Sequence, residues 1–299
     1  MPDFFYGGQA LIEGVMMRGR STAAMSVRMP DGEIRTSSEA LPRALMGGRW
    51  LKVPFVRGVL VLYETLILGT RMLMRSAALA AEGEDIEIGR GTLAVTMILS
   101  LGFAIGLFFV LPLLLSEAAE EAAGSDLVAN LAEGGIRLVI FVVYLALIGM
   151  MSDVRRVFAY HGAEHKAISA HEADAPLEPD SVDRFSTAHT RCGTTFVLIV
   201  VVISILFFSL IPRGDTPLLL LMLSRIALVP VVASVAYELV RFGARHYGNR
   251  AVRAIYSPGL WLQSLTTRPP DHEMLEVSIT ALERVLEEDR APQGERAPA

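Results

Sequence analysis

His161-Gly162-Ala163-Glu164-His165 sets two imidazoles four residues apart, with a carboxylate three after the first. On a helix, positions i, i+3 and i+4 share a face, so both rings can turn to one metal ion while Glu164 reaches a water beside it. His189 follows 24 residues after His165, and His189-Thr190-Arg191-Cys192 has the short spacing of a turn that aims two ligands at one cation. Imidazole and thiolate donors together favour zinc over magnesium or calcium. Cys192 is the sole cysteine in the chain, which excludes an intramolecular disulfide and leaves the roles of ligand or buried thiol.

Two chemistries fit this set. The order His161-x-x-Glu164-His165 is that of inverzincin peptidases, in which the glutamate is the base that activates water for attack on a carbonyl. Such a site needs three protein ligands and one open position, and the third ligand is then His189, Cys192, or Glu238 further along the chain. If His161, His165, His189 and Cys192 all bind, the tetrahedron closes and the metal is structural. The acidic, proline-bearing stretch 172–183 is a mobile cover in the first case and a plain surface loop in the second.

The elements that carry these residues are those of a membrane protein. Hydrophobic residues make up 52% of the chain and mean hydropathy is +0.45. Gly91 to Leu115 runs 25 residues without a charge. At about 1.5 Å per residue this reaches roughly 37 Å, enough for a hydrocarbon layer of about 30 Å. Gly193 to Pro212 is a second such run, Gly135 to Ser152 carries only Arg137, and Thr216 to Tyr237 carries only Arg225. Four spans are therefore predicted, in a mostly α polytopic fold. No basic stretch followed by an apolar core opens the chain, so no signal peptide is expected. Of the 27 Lys and Arg residues, eleven precede the first span, five lie in 153–192 and eight follow Tyr237, whereas 116–137 and 211–217 hold one each. By the positive-inside rule, both termini and the His/Cys cluster face the cytoplasm of a bacterial inner membrane, and the acidic loop 116–137 lies outside. No basic cluster interleaved with aromatics points to nucleic acid, and membrane lipids are the expected partners.

Around the spans, residues 1–52 read as a β-containing cytoplasmic segment. Pro30-Asp31-Gly32 forms a hairpin turn between 25–29 and 34–36. Within 53–90, Arg57, Glu64, Arg71 and Arg75 share one helical stripe, which describes an amphipathic helix that does not cross and either lies in the inner interface or turns its stripe to the bundle. The spans occupy 91–240, with the site in 153–192. In 241–290, Pro269-Pro270-Asp271 opens a helix whose Leu275, Ile279, Leu282 and Leu286 line one face. The tail 291–299 is expected to be disordered.

Four blocks carry a resemblance: Gly7-Gly8-Gln9-Ala10-Leu11-Ile12-Glu13-Gly14-Val15-Met16-Met17-Arg18-Gly19, His161 to Lys166, Arg191-Cys192-Gly193-Thr194, and Pro258-Gly259-Leu260-Trp261-Leu262-Gln263. In order and over nearly the whole chain, they resemble the YqhQ-like family of bacterial membrane proteins, a family of unknown function described as metal-dependent enzymes. That description implies the same histidines already read here. Thr190 departs from the expected pattern, in which proline stands before Arg191, and this bears on the rigidity of that turn. Gln9, Glu13 and Arg18 in the first block form either a cytoplasmic binding edge or tight turns. Arg225, in the middle of a predicted span, must pair within the bundle, with Glu64 or a backbone carbonyl as its partner. The reading is a zinc-dependent hydrolase acting at the cytoplasmic face on a lipid-linked or membrane-proximal substrate, with Glu164 as the catalytic base. The alternative is a non-enzymatic scaffold, lipid-binding or transport-associated protein with a structural zinc.

Overall fold

The computed structural model describes residues 4–41, 49–82, 90–213 and 216–290. The expected tail 291–299 and part of the 53–90 linker lie outside the described residues. Four antiparallel strands open the chain: β1 Gly7–Leu11, β2 Gly14–Arg18, β3 Thr22–Arg28 and β4 Ile34–Ala40, in the order β1-β2-β3-β4. The hairpin read at Pro30-Asp31-Gly32 joins β3 to β4, with Gly32 at φ 89° as the turn requires. A second hairpin, β1–β2, turns at Glu13, which adopts φ 54°.

Side chains of β2 and β3 alternate between two buried faces, as period-two geometry demands. Val15, Met17 and Ala24 enter one core. Met16, Ala23, Met25 and Val27 enter the other. The second core is closed by helix α1, Val56–Ala80, through Leu68 and Met72. The first is closed by α4, Ser152–Glu172, and α9, His272–Arg290. Asp271 caps α9 by accepting the Met274 amide at 2.8 Å, and Leu275, Ile279, Leu282 and Leu286 are all buried as their spacing predicts. The sheet is therefore the middle layer of three.

Beside this body stand the apolar helices. One rod, α2, runs through Arg90–Ile105, a π-helical turn at Gly106–Val110, and Leu111–Ala123. It is followed by α3 Asp126–Ile148, α6 Gly193–Ser209 and α7 Leu218–Arg245, while α5 is the single turn Pro179–Val182 and α8 is Arg250–Thr266. Among the described residues, three helices are long and apolar enough to cross a membrane: Ala94–Glu117, Asp126–Ile148 and Leu218–Arg245. Gly193–Ser209 is apolar but shorter. Ile98, Phe103, Val139 and Leu219 are among the large apolar side chains these helices leave exposed, a surface suited to lipid rather than water.

One boundary and one ion pair differ from expectation. The apolar helix placed at 135–152 starts at Asp126, so Asn130 and Glu133 lie inside it with Arg137 rather than in an outer loop. The charges that broke the apolar run are buried and paired with one another: Glu133 accepts from Arg137 and lies 3.2 Å from both Arg213 and Arg225. Arg225, fully buried, is thus matched by Glu133 and by Asn130 Oδ1 at 2.8 Å, and not by Glu64. Glu64 pairs with Arg18 at 3.1 Å. The stripe on α1 faces inward in its first half, where Arg57 meets Glu238 and Glu64 meets Arg18, whereas Arg71, which reaches Glu39, and Arg75 are exposed, as are Tyr63, Leu66 and Ile67.

The stretch 172–183 is held down. Val182 is fully buried in the core with α4 and α9, and Lys166 on α4 donates to Asp183 Oδ1 at 2.9 Å. Leu282 is fully buried in the core between the sheet and the α4–α9 pair, so Leu282→Ala should cost about 2–5 kcal/mol through lost burial and a residual cavity. Thermal melting of the full chain in detergent measures this, and an unchanged midpoint would contradict the packing described.

Candidate functional site

Helix α4 places His161 and His165 one turn apart on a single face, with ring centroids 4.4 Å apart. The helix can sit deep because Gly162 lets the Arg268 carbonyl approach: a β-carbon there would meet that oxygen at 2.1 Å. Each ring is oriented by a backbone carbonyl. His161 Nδ1 lies 2.8 Å from Thr266 O, and His165 Nδ1 lies 2.5 Å from Thr187 O. A carbonyl only accepts, so in each ring Nδ1 carries the proton and Nε2 presents its lone pair. Metal-ligating histidines are held by the same kind of outer contact.

Cys192 is the N-cap of α6, where its Sγ accepts the Thr194 amide at 3.3 Å and stands 3.3 Å from His161 Nε2. Ligand atoms of His161, His165 and Cys192 all lie within 4.8 Å of one another. Two imidazole nitrogens and one sulfur at that separation suit zinc, whose ligand distances are about 2.0–2.3 Å.

The other sequence candidates divide. His189 stands a layer further out, its ring 5.6 Å from that of His165 and its Nε2 3.5 Å from Glu172 Oε2. Desolvation lowers the His189 pKa against the opposing pull of Glu172. Glu164 is outside the three-atom cluster but lines the same cavity, with its carboxylate beneath Gly8 of β1. Burial pushes Glu164 up to about 7, while His161 and a hydrogen bond from the Gly8 amide oppose the shift. A side chain on Gly8 would collide with Glu164 Cγ at 2.9 Å and with Met16 O at 2.6 Å, so the glycine is required by close approach.

Glu238 is removed from the site as a ligand. Its carboxylate accepts from the Arg57 side chain and from the Phe55 amide at 3.1 Å. Of Gln9, Glu13 and Arg18, Gln9 reaches the cavity wall, beside Gly7, Gly8 and Ala10. Glu13 pairs with Arg156 at the β1–β2 turn, Arg18 with Glu64, and Arg225 lies among the apolar helices.

The cavity measures about 490 Å³. One wall is polar, from His161, His165, Glu164 and Cys192, and another is Phe141, Leu145 and Val197 from α3 and α6. The site thus lies where the sheet-bearing body meets the apolar helices. Several positions here had no marker in the sequence. Gln263, fully buried, takes the His189 amide at 2.9 Å and donates to the His189 carbonyl at 2.8 Å and to Thr195 Oγ1 at 2.7 Å. Its place in the Pro258–Gln263 block was the only clue. Glu172 and Arg191, which pair over His189, lay in the acidic 172–183 stretch and the Arg191–Thr194 block, with no sign there that they meet.

Gln263→Leu should strip both partners from the buried His189 backbone, at about 1–3 kcal/mol for each unpaired group. A melting midpoint equal to that of the unsubstituted chain would refute the clamp.

The comparisons with known proteins agree with one another. The model of a family described as protein of unknown function (DUF1385) matches residues 53–288. The uncharacterized protein YqhQ of Bacillus subtilis (strain 168) is 30% identical over 309 aligned residues, which cover 98% of this chain and 96% of that protein. No solved structure matches. This chain therefore belongs to the family described as protein of unknown function (DUF1385), whose model spans residues 53–288, and it is similar to YqhQ over nearly its whole length.

Proposed function

We propose that this chain is a zinc-dependent hydrolase at the cytoplasmic face of the bacterial inner membrane, acting on a lipid-linked or membrane-proximal substrate. One observation carries the reading: a single cavity is bounded by His161, His165, Cys192 and Glu164 on one side and by side chains of apolar helices on the other. A substrate with a hydrocarbon part can rest on Phe141, Leu145 and Val197 while its polar bond lies under the imidazoles.

His161, His165 and Cys192 would hold the metal, and zinc there would supply a Lewis acid that polarises a carbonyl or phosphoryl oxygen. Glu164 takes a proton from the attacking water at its carboxylate and returns it to the leaving group. The Gly8 amide keeps that carboxylate in place, and the sheet above it limits access of bulk water. In this proposal α6, prolonged by the residues beside it, is a fourth span, both termini are inside, and α1 does not cross. The distribution of Lys and Arg supports that orientation.

A second reading rests on His189, whose ring is 5.6 Å from that of His165. Turned away from Glu172, it would complete a closed four-ligand site that pins the 172–192 segment and does no chemistry.

Elemental analysis of the purified chain should give about one zinc per chain. His161→Ala and His165→Ala should each lose most of it, and a carefully prepared unsubstituted chain without transition metal would end the proposal. Glu164→Gln should keep metal and melting point yet fail to complement a deletion strain. Full complementation by that variant would transfer support to the closed structural site, in which Cys192→Ser lowers metal content and melting point together. Labelling of single cysteines introduced at Ser125, Ala175 and Thr280 tests orientation, with Ser125 alone accessible from outside; external labelling at Ala175 would overturn the cytoplasmic placement.

A further inference from the structure

A second cavity, of about 290 Å³, lies wholly among the apolar helices. Its walls are aliphatic and aromatic, with Phe108 from the π-helical turn, Phe141, Val197, Val201 and Val232 among them, and one charged residue, Arg137. Arg137 is 11 residues from either end of α3, at the level where a charge in a span is most costly.

The guanidinium is anchored on two sides. Its Nε donates to Phe108 O at 2.8 Å, within the π-helical turn Gly106–Val110, and its Nη2 donates to Glu133 Oε1 at 2.5 Å. Its third nitrogen, Nη1, is buried and has no partner among the described residues. Arg225, fully buried, shares the same Glu133 carboxylate and also keeps an unpartnered Nη1. Arg213, which has further partners of its own, adds a third guanidinium to Glu133. Setting Arg213 aside, two buried cations still face one anion. Both guanidiniums stack on Phe208, at 5.1 and 4.8 Å, which softens but does not neutralise the excess. A low-dielectric site with surplus positive charge and free donors strongly favours a further anion.

We propose that this cavity binds one single-chain anionic amphiphile from the bilayer, a long-chain carboxylate, with its carboxylate on the free Nη1 of Arg137 and its chain along Phe141, Val197, Val201 and Val232. Charge complementarity selects the head group. The size selects one chain, because about 290 Å³ is at the lower limit of ligand pockets and excludes a two-chain phospholipid. The site is separate from the histidine cavity, although Phe141 and Val197 form part of both walls.

The test is native mass spectrometry of the full chain released from zwitterionic nanodiscs, titrated with dodecanoate, dodecanol or dodecyltrimethylammonium. One dodecanoate should bind per chain, with the other two binding at least tenfold more weakly. Arg137→Gln should weaken dodecanoate at least tenfold. Val201→Phe fills the cavity, leaves every guanidinium in place and should have the same effect, so it decides the matter alone if Arg137→Gln does not fold. Equal binding of dodecanol, displacement of dodecanoate by chloride, or unchanged binding in Val201→Phe would overturn the assignment.

Discussion

The hydrogen bonds from His161 Nδ1 to Thr266 O and from His165 Nδ1 to Thr187 O are the contacts on which the site depends. They put the proton of both rings on Nδ1, leaving Nε2 as the ligand atom, and bring His161 Nε2 to 3.3 Å from Cys192 Sγ. They also tie three separate pieces of chain together: α4, the end of α8, and the loop before α6. Neither carbonyl would be in place without the packing that surrounds it. Gly162 lets α4 lie against Arg268, and Gln263 holds the backbone of His189, two residues after Thr187. A shift of α4 by a fraction of an ångström would be felt in every one of these contacts, because close-packed interiors transmit strain.

The sheet has a corresponding role on the other side. It is sandwiched between α1 and the α4–α9 pair, so β1 is held rigidly enough for the Gly8 amide to meet the Glu164 carboxylate. The polar stripe of α1 links this layer to the apolar helices through Arg57 and Glu238, and to the sheet through Arg18 and Glu64. The same arrangement leaves Tyr63, Leu66 and Ile67 of α1 exposed while Leu68 and Met72 close the second core.

Charge inside the apolar helices follows a different rule from charge in the body. Among the described residues near Glu133, three guanidiniums converge on one carboxylate, with Asn130 and Ser116 completing the set. Such groups remain charged in a low-dielectric setting only when paired and hydrogen-bonded, and the π-helical turn of α2 contributes the Phe108 carbonyl to that end.

The sequence by itself determined the local elements and the chemical types. Charge-free runs marked the apolar helices, the i, i+4 imidazoles marked one helical face, Pro-Asp-Gly marked the β3–β4 hairpin, and the heptad-like leucines marked α9, because each signal is a short-range periodicity or turn preference. Tertiary structure alone decided which residues meet. Glu238 looked like a ligand until Arg57 was found against it, and Glu133 looked like an outer-loop charge until the pairing with Arg137 and Arg225 placed it inside α3. Thr187 and Thr266 act through backbone carbonyls that any sequence contains, so their part in the site has no signature in residue type, and the Gln263 side-chain amide finds its His189 partners 74 residues away. Such contacts join segments up to 105 residues apart, as between His161 and Thr266, and their geometry is set by how whole layers pack rather than by the local chain.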